Sequence, residues 1–342
     1  MRQKYEILFV TTMPSFYKVN LFNEISKERK IMTVYTGSTE GVRSADFSNA
    51  KAKFDSLTLN HNKFLSALQI IHLFIKFSFT KVIVSGWDNI VSYIVVMLHS
   101  KSRNGCIIES SILESRTQGL RAGLKRLLLS RISTVYASGT SQRLLAESLG
   151  FKGKIIEFGG CGILNYMPQP PYKPREKVHK FLFVGRIAEV KNLSLLISVF
   201  NEMPDLNLTI IGDGPLRESL EHEAKKNILF LGSINNTELS SYYREADVFI
   251  LPSKSETWGL VVEEALNNGT PVIVSSAIGC ADSIVVPYST GIVFKTGDKD
   301  SLKSSIKKIC NVNFYNSMRK RVADMDFIAR GRQQVNFFLI EP

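Results

Sequence analysis

The chain has 342 residues, 44% hydrophobic and 22% charged, which is typical of a globular protein with two domains of ordinary size. Its four cysteines lie far apart without ligand spacing, which excludes a zinc cluster and argues against a disulfide scaffold. The formal net charge of +12 suggests an anionic partner. Residues 1–168 hold 22 Lys and Arg against 11 Asp and Glu, whereas 169–342 hold 21 against 20, so the first half carries nearly all the excess.

Short apolar runs alternate with longer amphipathic stretches, which predicts parallel-sheet α/β units. In the first half, strands are predicted at 7–12, 31–36, 82–85, 106–109, 135–138 and 155–158. The predicted helices of this half lie near 18–26, 64–79, 90–100, 120–133 and 141–149.

Residues 166–174 contain four prolines and predict an extended linker, after which the alternation resumes. Strands follow at 181–184, 208–211, 228–231, 248–251, 272–274 and 292–294, with helices at 192–202, 216–225, 237–245, 259–267 and 301–309. The predicted fold class is α/β, with two doubly wound Rossmann-like domains facing each other across a cleft. In such domains ligands bind beyond the carboxyl ends of the strands, so the chemistry is expected in strand-to-helix turns.

Two turns of the second half carry suggestive but weak signals. Gly185 ends a strand and permits close approach of the backbone, and Arg186 and Lys191 supply two cations that suit a diphosphate. Taken alone, these cations are better explained as solvated surface charges. The turn from Gly212 to Gly214 is explained equally well by an ordinary βα loop.

The most informative turn follows the strand at 248–251. Glu256 and Glu264 are eight residues apart, a spacing of about 12 Å if all eight were helical. That is the length of a sugar–diphosphate–ribose unit, so one carboxylate would hold sugar hydroxyls and the other ribose hydroxyls. The phosphates would then face the amides at the helix start. An ordinary helix with N-terminal acidic residues is the alternative.

Together these turns resemble the GT4 family of retaining glycosyltransferases, which have the GT-B fold. The matching pieces are Val184-Gly-Arg186 with Lys191, Ile211-Gly-Asp-Gly-Pro-Leu216, Phe230-Leu-Gly232, the run 246–253, and Glu256 with Glu264-Ala. The resemblance covers roughly residues 180–310, and the first half only in outline. It implies a retaining, metal-independent transfer of sugar from a nucleotide-sugar donor, expected to be UDP-linked. The acceptor would be a glycan or lipid-linked glycan in cell-surface polysaccharide synthesis.

The resemblance also implies roles for matched positions. Arg186 and Lys191 would bind the donor diphosphate, Glu264 the ribose, and Glu256 the transferred sugar, with no protein nucleophile required. The segment 232–234 would lie against the nucleobase. The other implied donor-side residues are Gly185, Gly232, Ser233, Ile234, Trp258, Gly259, Leu260 and Val261.

The first half departs from the family pattern. Many members carry a His where this chain has Glu109, which makes Glu109 a candidate catalytic residue; a plain strand-end carboxylate is the alternative. This Glu resembles a polysaccharide- or O-antigen-assembly subgroup. The opening loop lacks the familiar Gly-Gly pair, and its polar groups either line the acceptor side or form a plain βα turn. Its candidate residues are Pro14, Ser15, Phe16, Lys18 and Asn20.

No metal or other cofactor is expected besides the donor. The five histidines show no ligand spacing. Of two Asp-x-Asp triplets, Asp298-Lys-Asp300 is interpreted as an N-cap, and Asp324-Met-Asp326 is placed within a late helical segment. We assign the acceptor domain to 1–168 and the donor domain to 169–312. The last segment, 313–342, is expected to be helical and to cross back to the first domain.

The basic half suggests a membrane partner. In the segment 116–132, Leu120, Leu124, Leu127 and Leu128 are predicted on one helical face among several cations, and 64–79 adds an apolar stretch. Core helices with snorkelling cations explain either segment equally well. The charge favours a cytoplasmic protein attached peripherally to the inner face of the membrane. The alternatives are a GT-B nucleotide-sugar epimerase and, with no recognised motif to support it, a nucleic-acid-binding protein.

Overall fold

In a computed structural model that describes residues 3–37 and 50–340, the chain divides into two compact units. The first comprises Met1–Asn165 with Ile328–Pro342, and the second is Tyr166–Phe327. The boundary was predicted after residue 168, and the division between these units follows Asn165. The segment 313–342, predicted as one piece, is divided between the units after residue 327.

The described residues of the first unit form a seven-stranded parallel sheet in the order β3-β2-β1-β4-β5-β6-β7. Its strands are β1 (Gln3–Thr11), β2 (Ile31–Tyr35), β3 (Asp55–Thr58), β4 (Phe77–Ser85), β5 (Asn104–Ile108), β6 (Thr134–Ala137) and β7 (Lys154–Glu157). Its helices within this span are α1 (Phe16–Ser26), α2 (Lys63–Lys76), α3 (Ile90–Leu98), α4 (Gly119–Leu129) and α5 (Thr140–Ser148).

Two sequence predictions fail in this unit. Strand β3 was missed, because it is a short edge strand of mostly exposed polar residues without an apolar run. Helix α2 was predicted to reach residue 79 but ends at Lys76, where β4 begins. The rings of Phe77 and Phe79 pack on Tyr5 of β1, at centroid distances of 5.4 and 6.1 Å, and this cross-strand packing favours a strand.

The second unit is a six-stranded parallel sheet in the order β10-β9-β8-β11-β12-β13. Its strands are β8 (Lys180–Val184), β9 (Asn207–Ile211), β10 (Ile228–Gly232), β11 (Val248–Leu251), β12 (Val272–Ser275) and β13 (Gly291–Phe294). The helices that follow β7 in the chain are α6 (Leu193–Phe200), α7 (Arg217–Glu223), α8 (Leu239–Glu245), α9 (Leu260–Asn267), α10 (Lys299–Ile309), α11 (Val312–Ala323) and α12 (Phe327–Leu339).

The two Asp-x-Asp triplets have different outcomes. Asp298 caps α10, with its Oδ1 accepting a hydrogen bond from the Ser301 amide at 3.0 Å, so the N-cap prediction is confirmed. Asp324 and Asp326 lie in the connection between α11 and α12, so placing them within a helix was wrong.

Helices cover both faces of the first sheet. Side chains of α2, α3, α4 and α5 share one core cluster with the sheet, whereas α1 and α12 contribute to a second cluster. On α4, Leu120, Leu124 and Leu127 are exposed, whereas Leu128, predicted on the same helical face, is buried. None of the helices in residues 3–37 and 50–340 has the length and hydropathy needed to cross a lipid bilayer.

Candidate active site

The strand order of the second unit fixes where its loops diverge. β8 lies between β9 and β11, so the chain leaves β8 toward one side of the sheet and later returns to its other side. The loops after β8 and β11 therefore separate at a topological switch point, where parallel α/β sheets bind ligands. Lys191 lies in the first of these loops and Glu256 in the second.

Two ion pairs join these loops. Lys191 Nζ contacts Glu256 Oε2, and both side chains are largely buried. A more exposed pair, Lys254 with Glu189, lies across the same two loops. The Lys254 amide also donates to the Val190 carbonyl at 2.8 Å, so the loops are connected by backbone as well as by charge. Two residues that the sequence analysis assigned to different parts of a donor are thus direct neighbours.

Glycines bring the loops after β8, β9 and β10 into contact. The Gly185 amide donates to the Ile211 carbonyl at 3.0 Å, and the Gly212 amide donates to the Gly232 carbonyl at 2.7 Å. A Cβ on Gly212, whose φ is +133°, would lie 2.0 Å from the Gly185 oxygen, so only glycine fits there. The turn judged ambiguous in sequence is therefore a support for Gly185.

Glu256 lies outside the helix, which corrects the spacing argument. It forms an isolated parallel bridge with Ile278, its amide donating to the Ala277 carbonyl at 3.1 Å. Gly259, with a φ of +100°, precedes α9, which begins only at Leu260. The 12 Å separation calculated for eight helical residues therefore does not apply, although the helix start is where it was predicted, at Gly259, Leu260 and Val261.

Glu264 is half-buried on α9 and has a partner that the sequence analysis missed. Tyr243 of α8 donates its hydroxyl to Glu264 Oε2 at 2.9 Å. Burial raises the pKa of Glu264 to about 7; the Tyr243 hydrogen bond opposes this rise and the neighbouring Glu263 adds to it. Glu264 is therefore a carboxyl group whose charge changes near neutral pH.

Trp258 has its side chain in the protein interior. Its indole Nε1 donates to Glu263 Oε2 at 3.3 Å, and both side chains are buried. A Cβ on Gly279 would lie only 1.9 Å from the Thr257 carbonyl oxygen, which shows how tightly the loop after β12 packs on this turn. The Trp258 ring thus belongs to the packing of the turn.

The remaining donor-side candidates lie at the edges of these loops. Arg186 is exposed and forms no ion pair with any residue that the structure describes. Ser233 is exposed and Ile234 half-buried, directly after Gly232 at the end of β10. Arg186 is thus available to bind an anion.

In the first unit, two predicted residues form a largely buried ion pair. Lys18 of α1 lies 3.1 Å from Glu109 Oε1, which follows β5, and donates to Thr11 Oγ1 at 3.1 Å. Burial lowers the pKa of Lys18, but the Glu109 carboxylate, together with Tyr17 and Cys161, raises it by more, so the pKa is raised overall. Glu109 therefore holds a buried ammonium group, a role that its sequence position alone did not reveal.

The other acceptor-side candidates surround the start of α1. Ser15 and Phe16 are buried and Pro14 is half-buried. Asn20 donates through Nδ2 to the Ile163 carbonyl at 3.0 Å and to Asn165 Oδ1 at 2.9 Å. Asn20 therefore fixes the end of the first unit's main segment.

Tyr243 and Glu263 are the main residues that sequence reasoning missed. Glu263 is adjacent to Glu264, and its apolar neighbours were the available signal for burial. No local pattern relates Tyr243 to a residue 21 positions away. Within residues 3–37 and 50–340, no cluster of three or more His, Cys, Asp or Glu side chains is placed to hold a metal ion.

Comparison with known proteins finds a family match in the second half of the chain. Residues 169–325, just under half of the chain, match the family described as glycosyl transferases group 1. The sulfoquinovosyl transferase SQD2 of Arabidopsis thaliana is 39% identical over 131 residues, which cover 37% of this chain and 26% of that protein. The chain spans between about a quarter and a half of the length of the curated relatives it matches.

Solved structures extend the likeness beyond residues 169–325. The lipopolysaccharide outer core galactosyltransferase WaaB has a TM-score of 0.69 at 15% identity, covering 98% of this chain and 100% of that one. Anabaena Alr3699/HepE, solved with UDP, has a TM-score of 0.70 at 13% identity, covering 98% and 99%. At such identities the likeness concerns the fold alone. The predicted fold class, two parallel-sheet Rossmann-like domains of the GT-B type, is confirmed.

Proposed function

We propose that this chain is a retaining, metal-independent glycosyltransferase that takes a sugar from a UDP-linked donor. Its acceptor is a glycan or lipid-linked glycan in cell-surface polysaccharide synthesis. The observation that carries the proposal is the contact of Lys191 with Glu256 at the switch point of the unit that matches the group 1 glycosyltransferases. The UDP bound by the structurally similar HepE and the acceptor class of WaaB support the finer assignments.

The side chains of this site divide the work of sugar transfer. The departing diphosphate gains negative charge, which the exposed Arg186 and the enclosed Lys191 offset. Glu256 fixes Lys191 through Oε2 and offers Oε1 to a sugar hydroxyl. Glu264 accepts hydrogen bonds from the ribose. In a retaining reaction the donor phosphate assists deprotonation of the acceptor hydroxyl on the same face, so no protein nucleophile is assigned.

Donor turnover tests this function directly. Purified protein is incubated with a panel of UDP-, GDP-, ADP- and TDP-sugars and a bacterial lipid extract, and the released nucleoside diphosphate is measured. We expect consumption of a UDP-sugar, a product that keeps the donor's anomeric configuration by NMR, and full activity in EDTA. Release from a different nucleotide, or an inverted product, contradicts the corresponding part of the proposal. Equal activity in wild type and Lys191→Ala contradicts the assigned site.

The first unit is proposed to attach peripherally to the inner face of the cytoplasmic membrane. Helices α2, α3 and α4 pack side by side on one face of the first sheet, and their outer sides carry a set of exposed apolar residues, here called the apolar face. The apolar face consists of Phe64, Leu65, Leu68, Ile71, Ile75, Ile90, Met97, Leu98, Leu120, Leu124 and Leu127. Exposed apolar surface of this extent is characteristic of interaction sites.

The charges around the apolar face favour an anionic bilayer as its partner. The sequences of α2, α3 and α4 contain no Asp or Glu, whereas Lys63, Lys76, Arg121 and Arg126 are basic and exposed; Lys125 is buried. Apolar side chains among cations match the interface of an anionic lipid surface.

Vesicle flotation tests the membrane proposal. Leu124 and Leu229 are each 56% exposed, but Leu124 belongs to the apolar face and Leu229 lies on β10 of the second unit. We expect wild type and Leu229→Glu to float with phosphatidylcholine vesicles containing 30% phosphatidylglycerol, and Leu124→Glu to float several-fold less. Equal flotation of both variants, or equal binding to vesicles of phosphatidylcholine alone, overturns the assignment.

A further inference from the structure

The geometry points to Tyr243 as a positioning residue for nucleotide recognition, which orients the Glu264 carboxylate toward the ribose hydroxyls of the donor. The inference rests on the proposed donor role of Glu264. Tyr243 itself does not touch the donor in this proposal. It acts through the 2.9 Å hydrogen bond from its hydroxyl to Glu264 Oε2.

Helix α9 carries two adjacent carboxylates, Glu263 and Glu264, and a hydrogen-bond donor from outside the helix orients each of them. Each is held by a different aromatic donor: Glu263 by the indole of Trp258 at 3.3 Å, and Glu264 by the phenol of Tyr243. Neighbouring carboxylates with separate partners are directed apart. Trp258 keeps the Glu263 carboxylate in the interior, whereas Tyr243 is the hydrogen-bond donor that fixes the Glu264 rotamer.

Tyr243 is itself firmly held. Its side chain is 1% exposed, and its ring packs edge-on against Phe249 of β11 at a centroid distance of 5.7 Å. Its carbonyl accepts a hydrogen bond from Thr270 Oγ1 at 2.5 Å. Burial, reinforced by the Glu264 carboxylate, raises the pKa of Tyr243 well above its ordinary value. The phenol therefore stays protonated and remains a donor.

A second connection fixes α8 against α9. Arg244 donates through Nε to Asn268 Oδ1 at 3.1 Å, and Asn268 Nδ2 donates to the Glu264 carbonyl at 2.9 Å. The backbone and the side chain of Glu264 are thus both tied, directly or through one residue, to neighbouring positions of α8. A rigid support of this kind holds a binding group in its productive orientation.

The hydrogen-bond inventory of Glu264 leaves room for a ligand. Tyr243 takes one lone pair of Oε2, and among the residues that the structure describes no hydrogen bond is donated to Oε1. An ionised carboxylate accepts up to about four hydrogen bonds, so two vicinal hydroxyls can still be bound. The carboxylate can therefore bind the two vicinal hydroxyls of a ribose, a pair that a deoxyribose does not have.

A cycle of two variants and two nucleotides tests the inference on the full chain. Binding of UDP and of 2′,3′-dideoxy-UDP is measured by calorimetry for wild type, Tyr243→Phe, Glu264→Gln and the control Tyr242→Phe. Tyr242, the neighbouring tyrosine, is only half-buried. We expect Tyr243→Phe to weaken UDP binding about 5- to 30-fold but to leave dideoxy-UDP binding within about 2-fold, because phenylalanine removes only the hydroxyl. Tyr242→Phe is expected to bind both nucleotides as wild type does.

The outcomes separate the inference from the function on which it rests. Equal weakening of both nucleotides by Tyr243→Phe, or no weakening of either, overturns the positioning role while Glu264→Gln still loses UDP affinity. If wild type does not bind UDP, or Glu264→Gln binds it unchanged, the proposed donor site is contradicted as well. In turnover assays, a positioning role raises the donor KM more than it lowers kcat.

Discussion

The two units share an architecture but distribute their charges differently. Each is a parallel sheet whose order reverses at its first strand, β1 or β8. The second half of the sequence is nearly neutral, and two of its lysines, Lys191 and Lys254, are paired with carboxylates across loops. The first half has a large basic excess, a largely buried Lys18–Glu109 pair, and an apolar face on helices that contain no Asp or Glu. One fold can therefore concentrate charge at a switch point or spread it over a surface.

This difference assigns different tasks to similar scaffolds. Where loops converge on paired charges, polar groups fixed in advance are suited to stabilising charge on a small ligand. Where cations surround exposed apolar side chains, an extended anionic surface is the better match. Substitutions in each unit should therefore affect different measurements.

The largest effect is expected from the cation at the second unit's switch point. Lys191→Ala removes the charge that we propose to offset the leaving diphosphate, and it leaves Glu256 without its partner. We expect kcat to fall at least about 100-fold with the fold intact. Lys254→Ala, which removes the more exposed pair of the same loops, is the matched control and should retain most of the activity. Equal losses in both variants would mean that the loops matter only as a scaffold.

Breaking the buried Lys18–Glu109 pair of the first unit should lower the free energy of unfolding. Glu109→Gln leaves the Lys18 ammonium buried without a counter-charge, so we expect a loss of about 2–3 kcal/mol in the free energy of unfolding. Adding Lys18→Met to Glu109→Gln should recover most of the loss, since no charge then remains buried. Urea unfolding provides the measurement, and a double variant less stable than Glu109→Gln would contradict this account.

Glu264 should make the stability of the second unit depend on pH. Its pKa is raised to about 7 in the folded chain, against roughly 4.3 for an unperturbed Glu. The stabilisation that the folded chain gains from protonated Glu264 is fully present below about pH 4 and is lost as the pH rises through about 7. We therefore measure the free energy of unfolding of Glu264→Gln and of wild type by urea unfolding. The difference between them should shift by about 1–3 kcal/mol in favour of Glu264→Gln when the pH is raised from 4.5 to 8. Glu245→Gln, on an exposed residue of α8, serves as the control; a constant difference for Glu264→Gln would contradict the raised pKa.

The smallest effects are expected at helix caps. Asn62 Oδ1 accepts from the Phe64 amide at 2.9 Å at the start of α2, and Asp298 caps α10 in the other unit. Replacing either by Ala should cost about 1 kcal/mol. Gln118→Ala, at an N-cap whose side chain makes no capping bond, should change little. Hydrogen exchange of the first-turn amides would locate each loss, and faster exchange in the Gln118 variant alone would be the contrary result.

Much of the fold follows from local pattern. The apolar runs at 7–12 and 181–184 are strands because buried parallel strands need continuous apolar sequence. Such reasoning cannot find β3, because its residues are polar and form a strand through pairing with β2. It also extended α2 into Phe77, where the partner Tyr5 is distant in sequence.

The sequence supplied the candidate residues of the site but not the contacts between them. Arg186, Lys191, Glu256 and Glu264 were all chosen from motif and resemblance. The ion pair of Lys191 with Glu256 crosses 65 positions, and the support of Glu264 by Tyr243 crosses 21. These contacts depend on which strands are neighbours in the sheet, which no single-sequence periodicity encodes. The helical spacing between the glutamates was wrong for a related reason, since the bridge to Ile278 takes Glu256 out of the helix.

Helix α12 has a consequence for how the protein is made. The ring of Phe338 stacks on Tyr136 at 4.6 Å and lies beside Phe9 and Phe158, inside the core of the unit that the ribosome produces first. A nascent chain must therefore expose this aromatic pocket until the entire second unit has been translated. The core of the first unit is therefore completed only after the second unit has been synthesised.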